Sequence, residues 1–447
     1  MATRKRSKRS GIQSIAIEGY KSLRSRMEIA TPPLTVIAGV NSSGKSSIMQ
    51  PLLLLKQTVD AAYDPGPLQL DGPNVSITSV DQILSRGASA ASRVASFSVE
   101  LCVNDYRTKV KFSRDANGNL RVAEYTSTFM MGQEEPVTLR EGMTDATLRK
   151  AFASVLKTDE FPASILKRKG NKISVVRERF ALHVGVTLDQ SSNPVTLPLG
   201  IGGIDLSSEA SKVIHLPALR GNPKRTYRTA AIEGRYPGTF DTYTAGIISY
   251  WQNNRRVEKL NQLKKDIEEL GLTWKVEARQ VDDTQVELLV GRLPHARQGG
   301  ARDLVNIADV GFGVSQTLPV VVALLAADSE QTVYLEQPEI HLHPRAQLHF
   351  ARLVGRALQR GVRVIIETHS SLLIRAIQTM IARDELDPED VALHWFTRSY
   401  ITGETEISTA ELSSDGAFGD WPEDFDDVYL GSEAAYLDAA MQKVADL

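Results

Sequence analysis

The chain has 447 residues and 42% of them are hydrophobic, enough to bury the core of two or three ordinary domains, which excludes wholesale disorder. A formal net charge of −2 excludes a globally basic nucleic-acid coat, though not a local patch, and the single cysteine, Cys102, excludes an internal disulfide and a cysteine-based zinc site. The apolar run Leu318–Ala327 is too short for a membrane span and contains Pro319; with no signal-peptide pattern either, the expected compartment is the cytoplasm, with no membrane partner.

Residues 1–10 carry Arg4-Lys5-Arg6-Ser7-Lys8-Arg9, a self-repelling basic run expected to form a disordered tail. It is either simply solvated or in weak contact with nucleic acid or an acidic partner. Ile12, Ile15 and Ile17, then Met27–Ile29, predict a β-hairpin that feeds an apolar strand over Leu34–Ala38. There follows Gly39-Val40-Asn41-Ser42-Ser43-Gly44-Lys45-Ser46, which fits the phosphate-loop pattern G-x-x-x-x-G-K-[ST] at every fixed position, and then a helical run over Ile48–Thr58. Glycines let backbone N–H groups converge on an anion, and the helix N-terminus adds partial positive charge. Gly39, Asn41, Ser42, Ser43, Gly44, Lys45, Ser46 and Ser47 are therefore candidate contacts of a nucleoside triphosphate, against the alternative of an unliganded glycine-rich turn. Lys45 is suited to the β- and γ-phosphates, and the Ser46 hydroxyl to Mg²⁺. Pro51 should kink the helix, and Leu52–Leu55 imply burial on more than one side.

Residues 95–103 and 107–130 alternate apolar and polar around a turn at Asp115-Ala116-Asn117-Gly118, the pattern of antiparallel strands. Helical spacing is expected over Leu139–Lys157 and Tyr243–Leu270. In the second, Val257, Leu260, Leu263, Ile267 and Leu270 make a seam too short for a long coiled coil. Between them, Arg220–Arg228 with Arg235 and Tyr236 mixes bases and aromatics. That suits either a phosphate-contacting loop or a structural loop whose arginines pair with local acids.

A second glycine motif, Asp309-Val310-Gly311-Phe312-Gly313-Val314-Ser315-Gln316, leads into a helix. Ser315 is the expected N-cap and Pro319 is expected in the first turn, giving an anion site without a lysine. The strand Thr332–Leu335 ends in Glu336-Gln337-Pro338-Glu339, placing an acid where it can hold Mg²⁺ beside Ser46. The next strand, Val362–Ile366, runs into Glu367-Thr368-His369-Ser370 and sets an imidazole at the same sheet edge. His341 and His343 are either a metal pair or hydrogen-bonded loop histidines. The acids Asp384, Glu385, Asp387, Glu389, Asp390, Asp424 and Asp426 lack strands that would aim them at a shared metal. Only 78 residues follow His369, few for an appended nuclease.

Two phosphate-binding helix ends in this order resemble the heads of ABC-type (SMC-like) ATPases. The details Glu336-Gln337-Pro338-Glu339-Ile340-His341-Leu342-His343-Pro344, Glu367-Thr368-His369-Ser370 and Val310–Gln316 bring the chain closer to the OLD-like AAA ATPases of bacterial and phage-defence operons. Ile15–Ser22 and Trp421-Pro422-Glu423-Asp424-Phe425 agree with that family too, so the resemblance covers about residues 11–90 and 300–430. It implies an α/β fold: an ABC-type P-loop NTPase head with a mixed sheet, an antiparallel-strand subdomain and a helical insert. The ATPase core would be 11–90 with 300–447, and the insert 91–299.

The resemblance further implies ATP and Mg²⁺ as cofactors, Glu336 as the magnesium acid and His369 as the γ-phosphate sensor. Gly313, Ser315 and Gln316 would act in trans on the nucleotide of a second subunit. One position departs from the pattern: the glutamate that polarises the attacking water is replaced by Gln337, which can orient water but cannot take its proton. Hydrolysis is then slow, or Glu339 serves as base. The implied function is an ATPase that forms a homodimer or higher homo-oligomer on ATP and controls a separately encoded effector, such as a nuclease, in antiviral defence. The alternatives are a nucleotide-gated scaffold with little hydrolysis and a DNA-repair or recombination ATPase in direct contact with nucleic acid.

Overall fold

Every residue of the strand Leu34–Gly39 is buried, which marks a central rather than an edge strand and puts the phosphate loop that follows it in the middle of a sheet. A computed structural model describes residues 11–87, 93–104, 106–129, 136–152, 171–187, 196–199, 205–229, 234–293, 303–419, 434–438 and 441. In chain order its strands are β1 Ile12–Glu18, β2 Met27–Ala30, β3 Leu34–Gly39, β4 Ser96–Val103, β5 Tyr106–Arg114, β6 Leu120–Phe129 and β7 Val137–Leu139. Then come β8 Lys172–Glu178, β9 Ala181–Thr187, β10 Thr196–Leu199, β11 Val213–Leu216, β12 Tyr227–Arg228, β13 Val276–Gln280, β14 Gln285–Gly291 and β15 Leu304–Asn306. The last four are β16 Thr332–Glu336, β17 Arg363–Glu367, β18 Val391–Arg398 and β19 Thr405–Thr409.

The central sheet has the order β11-β16-β17-β3-β18-β19, parallel throughout except that β19 runs antiparallel on β18. Its strands send alternate side chains to opposite faces. Val36, Val333, Leu335, Val364 and Ile366 join one core with the helices Phe312–Ala326, Pro344–Gln359 and Ser371–Ala382. Ile37, Tyr334 and Ile365 join the other, beneath the phosphate-loop helix Lys45–Asp60 and an antiparallel sheet of order β2-β1-β4-β5-β6-β7. The result is an α/β, P-loop NTPase-like fold with one six-stranded mixed sheet, an equally large antiparallel sheet, smaller antiparallel sheets and several helices.

The hairpin of β1 and β2, the antiparallel strands β4–β6 and the turn after Asp115 all form as the sequence pattern requires. Pro51 lies inside its helix, and Leu52–Leu55 are all buried. Within the expected insert, 91–299, β4 pairs with β1, and β11 forms the edge of the central sheet beside β16. Other expectations need correction. Leu139 ends a strand, and the helix after it starts at Asp145, where Thr144 accepts from Thr147 N–H and caps it; residues 153–157 lie outside the described residues. The stretch 243–270 is two helices, Thr244–Asn253 and Val257–Glu269, interrupted where Arg255 takes φ 51°. The seam residues Leu263, Ile267 and Leu270 are spent on the protein's own core, while Val257 is exposed. The basic run 4–9, Trp421–Phe425, Asp424 and Asp426 lie outside the described residues. No helix among the described residues is long and apolar enough to cross a membrane.

Candidate functional site

Strained glycines shape the phosphate loop. Gly39 has φ 144°, and a β-carbon there would stand 2.2 Å from the carbonyl oxygen of Phe396 on β18. Gly44 caps the Lys45–Asp60 helix at φ 100°, where a β-carbon would stand 2.3 Å from Thr405 Oγ1. Ser42, at φ 62°, is a non-glycine residue in the left-handed region. Thr405, on the antiparallel edge strand, donates to Ser43 O at 2.7 Å and so fastens the loop to β19.

The loop opens on a cleft of about 550 Å³ lined by Asn41 to Ser47 together with Gln337, Glu367 and His369. Lys21, Arg86 and Arg398 line it as well and add cations around the position a polyphosphate would take. Lys45 is largely buried and its Nζ donates to two loop carbonyls, Gly39 O at 3.0 Å and Val40 O at 2.8 Å. Burial lowers its pKa, against a smaller opposing effect of the Glu367 carboxylate.

The acid beside Ser46 is Glu367. Ser46 Oγ lies 3.0 Å from both of its carboxylate oxygens. Glu336 is its register partner on the adjacent parallel strand, so two carboxylates stand side by side at the ends of β16 and β17. Tyr334 Oη donates to Glu367 at 3.0 Å. Glu336 is held from the other side: one oxygen meets His215 Nε2 at 3.1 Å and the other accepts from Ala218 N–H at 3.2 Å. Asn74 Nδ2 lies 3.0 Å from His215 Nδ1, which leaves the Nε2 proton to face Glu336.

Burial raises the Glu367 carboxyl and the neighbouring Glu336 charge raises it further, outweighing Ser46, Tyr334 and Lys45. Burial acts on Glu336 in the same direction, yet His215, Ala218 N–H and Tyr334 overcome it and leave that carboxyl lowered. With Glu336 lowered and Glu367 raised, Glu367 is the member that gains most from a cation. A serine hydroxyl with two crowded carboxylates is a hard oxygen set suited to Mg²⁺. Among the described residues there is no cluster of three or more His, Cys, Asp or Glu that could hold a metal. His343 caps the helix Pro344–Gln359, Nδ1 accepting from Arg345 N–H.

Gln337 sits at φ 43°, with its N–H bound to Glu367 O at 2.7 Å, and lines the cleft. Glu339 does not line it. It is buried, and Oε1 accepts from Thr368 Oγ1 at 2.7 Å and from His369 N–H at 2.9 Å. Burial lowers the His369 pKa and Lys45 lowers it further, so its imidazole is neutral at physiological pH.

Ser315 lies elsewhere. The helix Phe312–Ala326 is capped by Gly311, so Ser315 is already inside it, Oγ donating to Phe312 O at 3.2 Å. Pro319 likewise falls beyond the first turn. The Ser315 cleft shares no lining residue with the Lys45 cleft. Gln316 Nε2 donates to Arg220 O at 2.7 Å. Gly313 has the carbonyl of His341 as its near neighbour. The basic segment 220–228 is structural at two points: Arg220 is buried against backbone carbonyls, and exposed Arg225 pairs with Asp309 at 2.7 Å.

Glu367, Tyr334 and His215 went unassigned in the sequence, although Glu336 and Glu367 end consecutive apolar strands at matching positions, a signal that could have paired them.

Residues 208–375 match a family model described as "AAA domain, putative AbiEii toxin, Type IV TA system". The matched segment contains Ser315, Glu336 and His369 but not the phosphate loop. No curated protein matches the sequence. Among solved structures, an Smc head bound to the C-winged helix domain of ScpA is similar over 90% of this chain and 98% of that one, at 11% identity and TM-score 0.48. The SMC head domain from Thermotoga maritima is similar over 90% and 99%, at 13% identity and TM-score 0.42. An Smc head with an extended coiled coil, bound to the C-terminal domain of ScpA derived from Pyrococcus furiosus, is similar over 90% and 97%, at 10% identity and TM-score 0.45. At these scores the fold assignment rests on the strand order and the phosphate loop.

Proposed function

We propose that the chain is an ATP-binding, slowly hydrolysing ATPase head that pairs with a second copy on binding ATP and controls a separately encoded effector. One observation carries the nucleotide reading: a phosphate loop presents Lys45 and Ser46 to a cleft that Glu367, Gln337 and His369 also line. Ser46, Glu367 and Glu336 would hold Mg²⁺, which supplies charge neutralisation at the phosphates. Lys45 exchanges the Gly39 and Val40 carbonyls for phosphate oxygens. Gln337 orients water, and the neutral His369 imidazole hydrogen-bonds the terminal phosphate. Glu339 acts as the acceptor that fixes the His369 backbone. Lys45→Ala should abolish binding in an ATP titration, since it removes the loop's own cation; unchanged affinity sinks the assignment.

A second reading, a nucleotide-gated scaffold, draws support from Gln337 standing where a proton acceptor is needed and from Glu339 being absent from the cleft lining. Single-turnover hydrolysis separates the two readings. The effector and a role in antiviral defence rest on the OLD-like motifs, and the toxin–antitoxin wording of the matched family model agrees with a paired system. Expressing the chain with and without its operon neighbour, then measuring nucleic-acid integrity after phage challenge, tests that role.

A further inference from the structure

A second cleft, of about 570 Å³, lies beside Ser315. Leu288, Ile307, Leu318 and Pro319 supply apolar lining, and exposed Lys224 and Arg228 contribute positive charge. Among the described residues, three buried polar atoms of its lining residues have no hydrogen-bond partner: Arg220 Nε, Asp241 Oδ1 and Thr244 Oγ1. Arg220 is 4% exposed and Thr244 2% exposed. Buried polar groups are almost always paired, and an open one costs on the order of 1–3 kcal/mol. Three such residues lining one cavity of ligand-binding size make a polar site with an apolar floor.

We propose that this cleft binds a nucleoside monophosphate, free or at the end of a nucleic-acid strand. Lys224 and Arg228 suit the phosphate, the aliphatic floor suits the flat face of a base, and Asp241, Thr244 and Arg220 suit ribose hydroxyls and the polar base edge. Asp241 is the acceptor a ribose hydroxyl needs, and Arg220 Nε and Thr244 complete the donors. Burial pulls Arg220 down to about 10, so it is still a cation at neutral pH.

The site is wired to the first one. Arg220 Nη1 donates to Gln316 O and Nη2 to Glu336 O, each at 3.0 Å, so one guanidinium clamps the Ser315 helix to the acid-bearing strand. A ligand drawing on the Nε of that guanidinium shifts both ends of the clamp. This coupling rests on the ATPase reading, whereas the binding itself does not.

The experiment titrates AMP into the full chain carrying Lys45→Ala, which removes the phosphate loop as a competitor, and into the unmodified chain. One AMP per chain is expected in both. Asp241→Asn with Thr244→Val should weaken AMP by about tenfold or more, as expected for lost hydrogen bonds to charged and buried groups. The same pair in the otherwise unmodified chain should leave ATP affinity and the melting temperature close to their original values. A short single-stranded DNA with a terminal phosphate runs in parallel: tighter binding than AMP, lost with the same substitutions, assigns the strand end as the source, and weaker binding assigns the free nucleotide. Absence of binding by both probes, binding indifferent to Asp241→Asn with Thr244→Val, or binding lost with Lys45→Ala overturns the proposal. AMP that binds here without changing ATP turnover overturns the coupling alone.

Discussion

Ser46 Oγ lies equidistant, at 3.0 Å, from the two carboxylate oxygens of Glu367, so the acid closest to the phosphate loop comes from β17 and not from β16. Glu336, one strand further out, is occupied by His215 and the Ala218 N–H. Glu367→Gln keeps the shape of the side chain and removes its charge. It should weaken Mg²⁺ by about 10- to 100-fold, the usual cost of a damaged metal environment. Binding of ATP in EDTA should change little. Mg²⁺ titrations of nucleotide affinity read both, and equal loss with and without Mg²⁺ would mean that Glu367 is a structural acid.

The same pair makes stability depend on pH. Glu367 is raised above its ordinary value of 4.5 by burial and by Glu336. The folded state therefore binds more protons than the unfolded chain between 4.5 and the raised value. The contribution of Glu367 is full below 4.5 and is lost as pH rises through the folded-state pKa. Mg²⁺ needs the ionised form, so it should restore stability at the upper end of that window. Denaturant melts across pH, with and without Mg²⁺, should show this slope, and Glu367→Gln should flatten it.

Local patterns were legible in the sequence where local physics decides them. Gly39 and Gly44 were identifiable because no other residue takes their φ beside Phe396 and Thr405. The apolar strands β3, β16 and β17 were legible from their unbroken hydrophobicity. What the sequence concealed was long-range. Glu367 meets Ser46 across 321 positions, a contact fixed by the order of β17 and β3 in the sheet and not by any spacing. The pairings of β4 with β1 and of β11 with β16 cross the boundaries of the 91–299 insert that the resemblance implied. The helix at 312 begins three residues before the expected serine cap, because Gly311 takes that place.

Gln337 and Glu339 separate by partner. Gln337→Glu places a carboxylate on the cleft wall and should raise turnover, within the roughly 10²- to 10⁴-fold that general-base catalysis supplies, with ATP affinity similar. Glu339→Gln retains an oxygen able to accept from Thr368 and His369 N–H, so turnover should hold. Glu339→Ala strips that acceptor from the buried Thr368 hydroxyl and from the His369 N–H, costing about 1–3 kcal/mol in stability, and should lower turnover through a displaced His369. Glu339→Gln abolishing turnover in a folded chain would instead make Glu339 the base.

Lys45 and Ser315 line clefts with no residue in common, and the helices that carry them pack in different cores on opposite faces of the central sheet. In the proposed trans arrangement, a second copy would present its own Ser315 to a nucleotide held by Lys45. Lys45→Ala chains have no working phosphate loop but an intact Ser315; Ser315→Arg chains have the reverse, with a bulky cation in the second motif. Each variant alone should be inactive in ATP turnover. Mixed and allowed to exchange, half of the two-fold dimers become heterodimers with one complete site each, so turnover should recover to about a quarter of the unmodified level. A mixture as inactive as its parents, with heterodimers verified by differential tags, means that Ser315 does not act across the interface.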